Sequence, residues 1–312
     1  MKKNKFGLIG AAGYVAPRHM RAIKDTGNIL NAALDPFDSV GIIDSYFPES
    51  SFFTETERFE RHIDKMRRSG KGLDYLSICS PNYLHDSHIR LGLRNDCEVI
   101  CEKPLVINPK NVKYLKLLEK ESGRKINNIL QLRLHESVID LKQSINNNKV
   151  YDIELTYITS RGKWYDYSWK SNISKSGGLS MNIGIHFFDM LMWIFGPPLE
   201  NVVFLKENKT IFGFLKLERA NIKWLLSIDG ELLRQNKISK KMYRSIKIGK
   251  KEFEFSHGFE DLHTKSYVEI LKGGGFGIDD LSPSLELASK INKSKIHQAP
   301  NNFSHPLLRY LR

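Results

Sequence analysis

Through the first 126 residues, short apolar runs alternate with longer stretches whose apolar positions recur every three or four residues. The runs "KFGLIG", "ILNAALD", "LDYLSIC" and "CEVIC" predict strands. Between them the spacing predicts helices over Pro17–Thr26, Ser39–Tyr46, Glu55–Ser69, Leu84–Arg94 and Pro109–Ser122. Proline opens the first of these, where its missing N–H costs nothing. In the last, Val112, Leu115 and Leu118 share a face. Strands that alternate with helices and are nearly all apolar imply a parallel sheet covered on both sides.

After about Asn127 the rhythm changes. A helix over Leu134–Asn146 precedes the alternating run "YDIELTYITS". A loop rich in Trp, Tyr and Lys follows from Arg161 to Gly177, then a long helix over Leu179–Phe195 that stops at Gly196-Pro197-Pro198. Five strand-like runs come next: "NVVFLK", "TIFGFLKLE", "NIKWLLSID", "YRSIKIG" and "EFEFS". Helices near Asp261–Lys272 and Asp280–Asn292 close the pattern. The fold class is therefore α/β in two parts. Residues 1–126 form a doubly wound parallel sheet, and residues 127–312 an α+β domain with an open, mainly antiparallel sheet.

Composition narrows this picture. Hydrophobic residues make up 41% of the chain, enough for a real core, which excludes a mostly disordered protein. No run of about eighteen apolar residues appears, so no membrane span is expected. The basic start runs straight into "FGLIGAAG", which lacks a signal-peptide core. Cys79, Cys97 and Cys101 show no Cys-x-x-Cys spacing and read as reduced thiols in a cytoplasmic protein. The net charge of +13 includes one locally basic segment, Arg234 to Lys251. That segment is interrupted and has little aromatic interleaving, so it reads as a solvated hairpin, not a nucleic-acid surface.

"FGLIGAAGYVA" stands where the first strand meets the first helix. Gly10, Gly13 and Ala16 form G-x-x-G-x-x-A, one residue longer than the usual dinucleotide fingerprint. Small residues there let backbone approach a pyrophosphate resting on the helix N-terminus. The next strand ends in Asp35, placed to hydrogen-bond an adenosine ribose diol and to repel a 2′-phosphate, which favours NAD. The candidate cofactor residues here are Gly10, Ala12, Gly13, Tyr14, Val15 and Asp35.

Ligands of such sheets bind at the carboxyl ends of strands. "SICSPNYLH" offers Ser80, Asn82 and His85 there, and "VICEKPL" offers Glu102 and Lys103. Without further context, His85 and His88 read as helix-start and surface positions. In the second half, Asn182, His186 and Asp189 fall on one helical stripe amid apolar neighbours. A buried polar stripe needs partners or a ligand. His186 and Asp189 are spaced as a metal pair, but no third ligand has convincing spacing, and no metal is expected. The preceding loop supplies Arg161, Lys163, Trp164, Tyr165, Trp169, Lys170 and Lys175: cations for an anionic ligand and aromatic faces for a ring.

With these blocks in place the chain resembles the glucose–fructose oxidoreductase, inositol dehydrogenase and MocA (Gfo/Idh/MocA) family. The matching residues are Cys79-Ser80-Pro81-Asn82-x-x-His85, Glu102-Lys103-Pro104, Gly177-Gly178 and Gly184-x-His186-x-x-Asp189. Longer runs, among them "GAAGYVAPRHMRAIKDTGN", "NILQLR", "LTYITSRGKWY" and "NIGIHFFDML", are similar to the bacterial UDP-2-acetamido-2-deoxyglucuronate 3-dehydrogenases within it. The resemblance implies an NAD-dependent oxidation of a sugar hydroxyl at carbon 3, serving surface polysaccharide such as lipopolysaccharide O-antigen. It implies an NAD site that includes Ser80, Asn82, His85, Glu102, Lys103 and Gln131. It implies a UDP-sugar acid bound by Lys103, Arg161, Tyr165, Trp169, Lys170, Asn182, His186 and Asp189. Lys103 and His186 are the implied catalytic pair. Lys103 serves as base if its charge is suppressed, while His186 needs little tuning. The resemblance further implies reoxidation of NADH in place by 2-oxoglutarate, a homodimer or homotetramer, and a cis Lys103-Pro104 bond. Asn182 departs from the Asp usual in the broad family, which removes an Asp–His relay and argues against inositol-type chemistry. A sensor without catalysis on the same scaffold, or another sugar or polyol dehydrogenase, are the alternatives.

Overall fold

The computed structural model describes residues 3–146, 148–254, 258, 260–301 and 303–308. The chain divides into two compact units, residues 1–134 with 260–282, and residues 135–259 with 283–312.

The first unit is built on six parallel strands: β1 Lys5–Ile9, β2 Ile29–Leu34, β3 Ser51–Phe53, β4 Tyr75–Ile78, β5 Glu98–Cys101 and β6 Ile126–Asn128. Their order is β3-β2-β1-β4-β5-β6, so the winding reverses between β1 and β4. This is the order of a Rossmann fold, whose ligands bind beside that reversal. The predicted strands all form. The three-residue β3 and β6 escape the sequence pattern because they are too short to show a period. The helix expected over Ser39–Tyr46 is only one turn, Ile42–Tyr46. Met20 and Ile23 of helix Ala16–Asp25 join Phe6, Leu8 and Ile100 in one buried cluster.

That cluster also takes in Tyr267 and Ile270, from helix Leu262–Leu271. The Tyr267 ring stacks on Phe6 at 5.8 Å. Further along, Asn128 N–H donates to the Phe276 carbonyl at 2.7 Å, and Arg133 bonds the Asp280 carboxylate at 2.9 Å. The sequence division at 126/127 misses this return. Burying Tyr267 and Ile270 removes about 2 kcal/mol worth of apolar surface each from water, which favours the segment's place in the first core.

The second unit carries β7 Tyr151–Thr159, β8 Pro198–Lys206, β9 Thr210–Leu217, β10 Ala220–Ser227, β11 Met242–Ile248 and β12 Lys251–Glu254. Their order is β12-β11-β7-β10-β9-β8. Every pairing is antiparallel except β7 with β10, so the sheet is mixed but mainly antiparallel. Residues 255 and 256 of the "EFEFS" run lie outside the described residues. The basic segment from Arg234 contributes the end of a short helix, Gly230–Gln235, and strand β11.

One face of this sheet packs under helix Ile185–Phe195, with Phe188 against Trp224 at 5.4 Å and Phe187 against Tyr157 at 4.9 Å. The stretch Ile173–Phe195 is long and apolar enough, by length and composition only, to cross a membrane, and 72% of its apolar 18-residue window is buried inside the protein. The other face holds Ile158, Phe212 and Leu225, packed by Leu232, Leu233, Phe303 and Leu307. The carboxy-terminal stretch, which carries no legible motif, therefore covers part of this face.

Candidate active site

Gly10 ends the first strand at a φ of +91°, a left-handed conformation that favours glycine. A Cβ there would lie 2.6 Å from both the Cys79 carbonyl carbon and the Ser80 nitrogen. Gly10 thus lets the ends of β1 and β4 close on each other. Helix Ala16–Asp25 follows with no side-chain N-cap and no acid in its first turn. Its first N–H groups are taken locally, Ala16 by the Gly13 carbonyl at 3.1 Å and Arg18 by the Val15 carbonyl at 3.0 Å, and Pro17 has none. What the helix start offers an anion is its positive dipole end, with no acid there to repel one. Asp35 is buried, with Oδ2 accepting from Ala12 N–H at 2.9 Å and Oδ1 from Phe37 N–H at 3.0 Å. Each carboxylate oxygen keeps a further lone pair for a ribose diol. Gln131 Oε1 is buried without a protein partner, an acceptor placed for a ligand donor. These residues fit a dinucleotide. Val15 is half-buried and Tyr14 is 81% exposed.

Ser80 and Asn82 are buried at the end of β4, and Ser80 Oγ pairs with His88 Nδ1 at 2.8 Å. His85 starts helix His85–Arg94 as expected, but both it and His88 are buried, which corrects the surface reading. His85 Nδ1 lies 2.7 Å from the Pro104 carbonyl and Nε2 lies 2.8 Å from the Ser80 carbonyl. Both ring nitrogens are thus spent on backbone, and neither remains for the cofactor.

Glu102 is also engaged within the protein. Its Oε1 accepts from His19 Nε2 at 3.1 Å and His263 Nε2 at 2.9 Å. The chain continues from His19 Nδ1 to the Tyr267 hydroxyl at 2.8 Å and on to Ser77 Oγ at 2.6 Å. Burial alone would raise the Glu102 carboxyl, but the hydrogen bonds from His19 and His263 carry it well below the ordinary carboxylate range. Burial also lowers His19, against its bond to Glu102. An ionised pair would demand the opposite of His19. The contact is better described as a neutral Nε2–H donating to a carboxylate, because the Tyr267 hydroxyl can then donate to the bare Nδ1. His19, Glu102 and His263 also hold ligand atoms within 4.8 Å of one another, a donor set of the kind a metal uses. Here those atoms are already joined by hydrogen bonds. Lys103 follows directly, half-buried, with the expected cis bond to Pro104.

In the second unit, Ser180–Gly184 forms a π-helical turn ahead of helix Ile185–Phe195. The expected stripe of Asn182, His186 and Asp189 therefore passes through a change of helical period. Gly184 is required there, since a Cβ would meet Phe188 at 2.7 Å and Leu226 at 2.8 Å. Asn182 and His186 are half-buried, and Asp189 is buried. Asn182 Nδ2 donates to the Tyr165 hydroxyl at 3.4 Å. Burial raises the Tyr165 phenol, against that bond. The Lys170 ammonium lies 5.5 Å from the Trp164 ring centroid and 5.6 Å from that of Trp169. Burial, with the Arg161 charge beside it, pulls Lys170 below its ordinary value. Arg161, Tyr165, Trp169, Lys170 and Asn182 are thereby linked into one cationic, aromatic neighbourhood.

Sequence reasoning missed His19, His263 and Tyr267. His19 was findable, since it lies on the buried stripe of its helix with Ala16, Met20 and Ile23. His263 and Tyr267 are spaced i, i+4 on theirs, but nothing in their own pattern says which core they join.

A reversed parallel sheet with a glycine-lined strand end and a carboxylate after β2 defines a dinucleotide-binding protein. Residues 4–129 match the model of the oxidoreductase family's NAD-binding Rossmann fold, and residues 142–218 that of its C-terminal alpha/beta domain. The chain belongs to this Gfo/Idh/MocA oxidoreductase family and is an NAD-dependent dehydrogenase. It is similar to the WlbA (WbpB) dehydrogenase from Thermus thermophilus, solved in complex with NAD and UDP-GlcNAcA. The identity is 45%, 98% of this chain and 100% of that one are covered, and the TM-score is 0.94. The same dehydrogenase in complex with NAD and alpha-ketoglutarate gives 46% identity, the same coverage and a TM-score of 0.93. Glucose-6-phosphate 3-dehydrogenase from Bacillus subtilis is 28% identical over 200 residues, 61% of this chain and 53% of that one. Inositol 2-dehydrogenase from Rhizobium meliloti is 25% identical over 198 residues, 62% and 55%. The chain spans about half the length of these two curated relatives.

Proposed function

We propose that this dehydrogenase oxidises the 3-hydroxyl of a UDP-2-acetamido-2-deoxyhexuronate to a ketone. The observation that carries the reading is the neighbourhood of Arg161, Tyr165, Trp169, Lys170 and Asn182 in the second unit. A UDP-sugar acid brings two phosphates, a carboxylate and flat rings. Guanidinium and ammonium groups answer the charges, and aromatic faces answer the rings. Whole-chain similarity to a dehydrogenase solved with UDP-GlcNAcA supports the same substrate.

Bound NAD would accept the hydride from sugar carbon 3. The protein's part is to hold the sugar near contact and to remove the hydroxyl proton. We assign Lys103 as the proton acceptor and His186 as the second catalytic residue, which positions or relays. Ser80, Asn82, Gln131 and the Gly10 loop hold the cofactor. A neighbour's complex with alpha-ketoglutarate supports 2-oxoglutarate as the oxidant that regenerates NAD. The product's place in surface-polysaccharide synthesis, a cytoplasmic location and a homo-oligomer complete the reading. The test is incubation with NAD and UDP-GlcNAcA, with and without 2-oxoglutarate. The reading expects a 3-keto sugar nucleotide that accumulates beyond the NAD supplied only when 2-oxoglutarate is present. Absence of turnover with any UDP-hexuronate would overturn it.

A further inference from the structure

His85 opens helix His85–Arg94, just after the Ser80-Pro81-Asn82 turn. Its ring is fully buried, and each nitrogen faces a backbone carbonyl, Pro104 at 2.7 Å and Ser80 at 2.8 Å. A carbonyl oxygen accepts and never donates, so both nitrogens must carry protons to make both bonds. A neutral imidazole has one N–H and one bare lone pair. One of the two short contacts would then set lone pair against lone pair in a fully buried site. We propose that His85 is a buried imidazolium that ties the Ser80 turn to the Pro104 carbonyl and so acts as a positioning residue for Lys103.

The charged groups around it bear on this. Burial is the largest influence and pulls His85 below its ordinary value; the Pro104 and Ser80 carbonyls and the Glu102 carboxylate work against that pull, and Lys103 adds to it. The contacts argue the other way from burial: a bare ring nitrogen 2.7 or 2.8 Å from a carbonyl oxygen would set two acceptors face to face, and charge-assisted bonds to both nitrogens are the stronger kind. His88, on the same helix, does not compete for the proton, since burial and then the charge of His85 pull it down to about 4. Asp86, the next residue, is occupied by Arg90 and Asn111. For Lys103 the consequence is twofold. The carbonyl one residue on is fixed, which limits where the lysine can point. A cation held close by also favours the neutral amine that a base must be. This second consequence rests on the reading of Lys103 as the base.

The protonation state is testable without any substrate. Nitrogen-15 spectra of the histidine rings in the full-length protein, at neutral pH, are compared with those of His85→Gln to assign His85. Two protonated ring nitrogens are expected. A bare ring nitrogen at His85 would overturn the proposal, whatever the enzyme's substrate proves to be. A doubly protonated His85 in a protein that ignores UDP-sugars would overturn only the substrate reading. In turnover, His85→Gln should lower kcat about tenfold and move the acid limb of its pH profile upward. Weakened NAD binding with an unmoved limb would mean that His85 serves the cofactor instead.

Discussion

Glu102 shows how much of a site is decided one residue away from the expected partner. The sequence places it at a strand end and, by resemblance, in the NAD site. Its Oε1 receives two imidazole N–H groups in a buried chain running to Tyr267 and Ser77. Tyr267→Phe removes the hydroxyl and leaves His19 Nδ1 without its partner, so it should cost about 1–3 kcal/mol of unfolding free energy. Urea titration checks this. Histidine burial also sets an acid limit. His88 is pulled from 6.5 to about 4 by burial and His85, and His305 from 6.5 to about 3 by burial and nearby lysines. Below 6.5 the unfolded chain binds protons that the folded one refuses. Stability present above pH 6.5 should therefore fall as pH drops toward 4, and continue to fall to about 3 for His305. At most, His88 contributes about 3 kcal/mol and His305 about 5 kcal/mol. His305 is fully buried, pairs with Thr156 at 3.0 Å and accepts from Leu307 N–H. His305→Asn should lose less stability than the parent between pH 6.5 and 4, as followed by denaturant midpoints.

At the scale of elements, the strand–loop–helix at Gly10 was legible because its chemistry is local. A left-handed glycine, a small-residue turn and a carboxylate after the next strand each leave a mark in a few residues. Gly10→Ala places a Cβ against the end of β4 at a φ that alanine avoids. It should destabilise the protein by about 2 kcal/mol and weaken NAD binding at least tenfold, read by calorimetry. The π-helical turn at Ser180–Gly184 was not legible, since a polar stripe spaced i, i+4, i+7 reads as ordinary helix. The period changes where Gly184 must fit between Phe188 and Leu226, contacts that arise only in the packed unit. Strands β3 and β6 were missed for want of length.

For the whole molecule, the alternation of strands and helices in the first half and the clustered strands of the second fixed the class of each sheet. What the pattern could not carry was the return of residues 260–282 to the first unit. An amphipathic helix announces that it has a buried face, not which core receives it. Tyr267 and Ile270 fit the cluster around Phe6, and Asn128 and Arg133 fasten the segment that follows. The tail around Phe303 and His305 was silent for the same reason, since its apolar residues meet a sheet face formed by strands far away in sequence.

The central claim is hydride removal from carbon 3 of the sugar, and an isotope follows that hydride directly. UDP-GlcNAcA carrying deuterium at carbon 3 is incubated with the protein and NAD, and the reduced cofactor and the sugar nucleotide are analysed by mass spectrometry. The account predicts one deuterium on the cofactor and a 3-keto sugar nucleotide that has lost it. Reduced cofactor without the label, with the deuterium still on carbon 3 of the product, would contradict it.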